Sequence, residues 1–78
     1  MLHLPTAGQK VFEVSIYNRE VRSLVKENQS HHYFDDQWAD IQVRDVVARD
    51  EEHARRLIAE RFPPDDGFVI EGVLPTSF

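Results

Sequence analysis

Cysteine is absent from these 78 residues, which excludes a disulfide framework, a thiolate metal site and a cysteine nucleophile. Glycine is scarce. Gly8, Gly67 and Gly72 are scattered, and none opens a helix after a strand as a phosphate-binding loop requires. Ser15, Ser23, Ser30 and Ser77 lack a Gly-x-Ser-x-Gly setting, and no acid and histidine are spaced to them as a triad. Long apolar runs are missing as well: nothing approaches the ~18 consecutive residues of a membrane span. The opening Met1-Leu2-His3-Leu4-Pro5 lacks the basic flank and apolar stretch of a signal peptide, so the expected location is the cytoplasm.

Positive charge is in deficit. Nine basic residues stand against 14 acidic ones, a net charge of −5, and runs such as Glu51-Glu52-His53-Ala54-Arg55-Arg56 interleave the signs. Affinity for phosphate comes largely from clustered Lys and Arg releasing counterions, so nucleic acid is disfavoured as a partner. A membrane surface is disfavoured for the same reason, because there is no basic amphipathic helix.

What is present is the pattern of one small domain spanning residues 1–78, with an ordered core over about 10–74 and looser ends at Met1 to Gln9 and Pro75 to Phe78. Val11 to Tyr17 alternates, with Phe12, Val14 and Ile16 on one face, and predicts a half-buried strand. Asn18 is a natural cap for a short helix whose Val21, Leu24 and Val25 share a face. Trp38 to Ala48 predicts a second strand with Ile41 and Val43 facing the core. Asp45 interrupts that face, so a one-residue bulge near Arg44 or Asp45 is expected; a regular strand would point Asp45 inward. Asp50 to Phe62 predicts the longest helix, capped by Asp50, acidic in its first turn and stopped by Pro63-Pro64. The last strand, Phe68 to Leu74, carries Phe68, Ile70 and Leu74 on one face and Val69, Glu71 and Val73 on the other. It is expected to be central or at an interface, with Gly72 as a bulge point.

This β-α-β-α-β order predicts an α+β fold: a small three-stranded, mainly antiparallel sheet with a split βαβ unit and one long helix packed on one face. The alternative sets the second and third strands side by side in parallel, with the first at an edge. The anticipated core is Phe12, Val14, Ile16, Ile41, Val43, Leu57, Ile58, Phe62, Phe68 and Ile70. A sheet with one open face and two open edges invites another chain.

One loop concentrates chemistry-bearing side chains. His31 and Asp35, like His32 and Asp36, are four apart, so a helical turn there would set each imidazole beside a carboxylate, an O/N site for a divalent metal or an acid/base pair. His3, Asp40 and His53 have no motif spacing to it, and the preferred reading is that Tyr33 and Phe34 pin the loop while His and Asp stay in water. His53 and Glu71 are read as solvated, and Arg44 as the partner of Asp45 or Glu13. No cofactor is implied. Trp38, Val69 and Val73 are the candidate interface residues. The expected function is a non-enzymatic interaction module, a homodimer or an accessory subunit of a larger protein, associating through its sheet. The alternatives are a metal or acid/base site at His31, His32, Asp35 and Asp36, or a small-ligand regulatory domain with its cleft between that loop and the sheet.

Overall fold

A computed structural model describes residues 8–76; the rest of the two ends, with His3, Ser77 and Phe78, lies outside the described residues. The elements are β1 (Lys10–Asn18), α1 (Arg19–Lys26), a 3-10 turn (Asp36–Ala39), β2 (Gln42–Ala48), α2 (Glu51–Arg61), a 3-10 turn (Pro64–Asp66) and β3 (Phe68–Pro75). The three strands form one sheet in the order β2-β1-β3, with β1 antiparallel to both neighbours. The fold is therefore α+β, and β2-α2-β3 is a βαβ crossover split by β1.

β1 is central because its alternation supplies the core. Phe12, Val14 and Ile16 are buried on the face covered by α2, where they meet Ala48, Ala54, Ile58 and Val73. Fully burying apolar side chains of this size contributes roughly 1.5–3 kcal/mol each. The expectation of a central β3 is corrected: β3 pairs only with β1 and forms an edge. Its apolar residues on both sides have another cause, a bulge. Val14 stands opposite Val73 and Ser15 opposite Gly72, but Ile16 stands opposite Ile70, so Glu71 is left over. One extra residue reverses the phase of everything after it. Val73 consequently turns into the core, and Leu74 turns out to solvent.

In β2 the reverse correction applies. Its register with β1 is regular from Gln42 to Ala48, without the bulge anticipated at Arg44 or Asp45. Gln42, Arg44, Val46 and Ala48 stand opposite Ile16, Val14, Phe12 and Lys10, and so share the core side. Asp45 points outward together with Val43, while Ile41 and Val43, expected in the core, are 46% and 52% exposed. Arg44 is tolerated on the inner side because its guanidinium lies over the rings of Trp38 (5.3 Å) and Phe62 (5.9 Å). It does not pair with Glu13 or Asp45, which occupy the opposite face.

Capping fixes the two helices. Asp50 accepts a hydrogen bond from the His53 amide (2.8 Å), and the His53 ring Nδ1 accepts one from the Arg49 amide (3.0 Å). The imidazole stands at the third helical position, where a capping box carries Glu or Gln, but it takes the amide one residue before the cap; His53 is thus half-buried and structural rather than merely solvated. The acid-first pair Glu51–Arg55 closes at 3.2 Å on the outer side of α2. Asn18, completely buried, caps α1 by accepting from the amides of Glu20 (2.9 Å) and Val21 (3.0 Å), while its Nδ2 donates to the Asp66 carbonyl (3.0 Å). It thereby ties the start of α1 to the turn before β3. Gly67 completes the joint: its φ is +97°, and a Cβ there would lie 2.8 Å from Asn18 Oδ1 and 2.8 Å from Glu20 Oε2.

Candidate functional site

The register divides the side chains into two surfaces. Opposite α2 lie Val43, Asp45 and Val47 of β2, Val11, Glu13, Ser15 and Tyr17 of β1, and Val69, Gly72 and Leu74 of β3. Of the five exposed large apolar residues described, Val43, Val47 and Leu74 are on this outer face, and Ile41 precedes β2 in the same phase. The fifth, Tyr33, is on the loop. Apolar side chains scattered singly need no explanation; these four are distinguished by sharing one side of the sheet. Val11 is buried and Val69 half-buried on the same face. Tyr17 is stacked by the Arg22 guanidinium at 3.7 Å, and Arg22 is itself held by a 2.7 Å hydrogen bond from Nε to the Ala39 carbonyl.

Across the middle of this face runs an acidic row. Glu13 stands directly opposite Asp45 on one side and Leu74 on the other. Among the described residues neither carboxylate has an ion-pair or hydrogen-bond partner. Like charges directly opposite in a sheet are destabilising, so this pair does nothing for the isolated fold.

β2 is also the open edge. The Thr76 amide donates to the Val11 carbonyl (2.9 Å) and the Arg19 amide to the Gly67 carbonyl (2.8 Å). Odd-numbered residues of β1 therefore direct their backbone groups toward β3 and even-numbered ones toward β2. By the register, Gln42, Arg44, Val46 and Ala48 pair with β1, which leaves the N–H and C=O groups of Val43, Asp45 and Val47 on the free side. Next to that edge, an open groove of about 350 Å³ separates β2 from α2, lined by Val46, Leu57, Ile58 and Phe62 and by Arg44, Asp45, Glu60 and Arg61. The other edge, β3, is blunted by its bulge and by Pro75.

The loop residues are placed differently from their spacing. No helical turn spans His31 to Asp35. The His31 Nδ1 accepts from the amides of Tyr33 (3.1 Å) and Phe34 (3.4 Å), which leaves the ring N–H at Nε2, 3.5 Å from Glu20 Oε1. Asp35 caps the following 3-10 turn through the Asp36 amide (3.1 Å), and Asp36 accepts from the Ser30 hydroxyl at 3.4 Å. His32 is exposed. Among the described residues no group of three or more His, Asp or Glu side chains converges as a metal site. Phe34 anchors the loop edge-on to Phe68 at 5.0 Å, while Tyr33, expected as a second anchor, is 87% exposed. The hollows beside the loop are open and lined largely by its own side chains.

Of the candidate interface residues, Val69 lies on the outer face, whereas Val73 is in the core and Trp38 packs against Phe62 (5.3 Å) and Phe68 (5.2 Å). Trp38 belongs to a 3-10 turn rather than to the strand. Sequence reasoning missed Ile41, Val43, Val47 and Leu74 on the open face; for the β2 side the signal was the phase break at Asp45, and for Leu74 it was Gly72, whose bulge reverses the phase of the end of β3. Among the described residues no helix is long and apolar enough to cross a membrane. No family model, curated protein or solved structure matches this chain.

Proposed function

We propose that this chain is a non-enzymatic interaction module, a homodimer or an accessory subunit of a larger protein, that associates through its sheet in the cytoplasm. The observation that carries this reading is the gathering of Ile41, Val43, Val47 and Leu74, all exposed, on the side away from α2. A chain this short buries only about 60% of its unfolded surface, so a covering partner adds stability that the core alone does not supply. The His31 to Asp36 loop lends no comparable support to metal or acid/base chemistry, since loop amides engage His31 Nδ1 and Asp35 and no group of three ligands converges among the described residues.

The test is the paired substitution Val43→Asp and Leu74→Asp in the full chain. Both sites are exposed, so circular dichroism should show the fold retained. Sedimentation of the purified protein, and cross-linking in extract of the native host, should show a species with the unmodified chain that disappears with the variant. Association indifferent to these substitutions would overturn docking through the sheet.

A further inference from the structure

Building on docking through the sheet, we propose that the occupant is an extended strand of another protein, added alongside β2, whose side chains facing outward read apolar, basic, apolar. Three features of β2 converge on that chemistry. The first is its backbone: it is seven residues long, regular in register and free of proline, with the amide and carbonyl groups of Val43, Asp45 and Val47 directed away from β1; the Val43 carbonyl accepts a long 3.3 Å hydrogen bond from the exposed Arg44 Nη1, which an added strand replaces with a main-chain bond. Such an edge is completed by main-chain hydrogen bonds from an added strand. The second is the groove beside it, where Val46, Leu57 and Phe62 offer apolar surface to alternate side chains of that strand.

The third feature selects the partner. A strand paired to β2 extends the row Leu74–Glu13–Asp45 by one residue, which sits directly opposite Asp45. A Lys or Arg there answers two adjacent carboxylates that have no counter-charge among the described residues. Two positions away on either side, the incoming strand meets Val43 and Val47 and is apolar. A second copy of this chain fits badly. Antiparallel pairing of β2 with itself over its full length places Asp45 opposite Asp45 of the copy, with a Glu13 beside each, and so gathers four carboxylates in one row.

Two capped peptides test this against the full-length chain: Thr-Val-Leu-Lys-Leu-Val-Thr and the same peptide with Glu at its centre, followed by amide NMR. The Lys peptide should slow exchange at Val43, Asp45 and Val47 and bind about tenfold tighter than the Glu peptide. Asp45→Asn should erase that preference. Val47→Pro, which removes an outward amide and leaves the pairing with β1 intact, should abolish binding of both. Equal affinity for the two peptides, shifts confined to β3, or a wild-type dimer joined through β2 would each overturn the proposal while leaving docking through the sheet standing. Absence of any shift in the sheet overturns it too, and the Val43→Asp, Leu74→Asp result then decides separately whether the sheet docks anything.

Discussion

Val43 and Arg44 are neighbours in β2, yet the arginine faces the core side and the valine faces solvent. The two faces of the sheet draw on similar residues: valine occurs on both, at positions 14, 46 and 73 inside and at 11, 43, 47 and 69 outside, of which Val11 is buried. What separates them is what lies on top. The inner face is closed by α2 and by Trp38, Phe62 and Phe68, whose ring centroids are 5.2–5.3 Å apart, and these rings take in even the guanidinium of Arg44. On the outer face no helix lies over Val43 and Val47, and an uncompensated carboxylate pair sits among the valines. Register and coverage, rather than residue type, decide which valine is buried and which is exposed.

Substitution should expose this difference as a gradient. Ile16→Ala, which empties a completely buried position at the centre of the inner face, should cost about 3 kcal/mol in denaturant unfolding. Asn18→Ala should cost about 2 kcal/mol by the same measurement, since it removes the cap of α1 and leaves the Asp66 carbonyl without its donor. At Gly67 an alanine must hold a positive φ against Asn18 and Glu20, and a loss of about 1–2 kcal/mol is expected. Val43→Thr, on the outer face, should change stability by no more than about 0.5 kcal/mol. Glu13→Gln should raise it by a few tenths, roughly 0.2–0.5 kcal/mol, by relieving repulsion with Asp45. A Val43→Thr loss as large as that at Ile16 would erase the distinction between the faces.

Much of this was legible in the sequence, and the part that was not has a common origin. The period-2 run of β1 and the caps Asn18 and Asp50 rest on local chemistry, and the structure places them where the pattern does. The split βαβ topology followed from one amphipathic helix between two strands. The phase of β2 depends instead on tertiary contacts. Nothing local announces that Trp38 leaves the strand to cover Phe62 and Phe68, or that Arg44 has rings to lie on, so the valines on the Ile41 side looked like core. Of the two bulge points the sequence offers, the glycine at Gly72 marks the real one, next to the extra Glu71 of β3, whereas the acid in β2 is accommodated by a regular register that points Asp45 outward. In the loop, a spacing of four suggested convergent His and Asp side chains only under the assumption of a helix. Backbone amides claimed His31 and Asp35 instead.

Amide hydrogen exchange along β2 in dilute solution tests the central claim most directly. If β2 is a regular free edge whose odd-numbered residues face away from β1, the amides of Arg44 and Val46 should be protected while those of Val43, Asp45 and Val47 exchange as fast as a solvent-exposed chain. Protection of Val43 and Val47, with Arg44 and Val46 exchanging freely, would invert the register and contradict both the assignment of the two faces and the proposed docking edge.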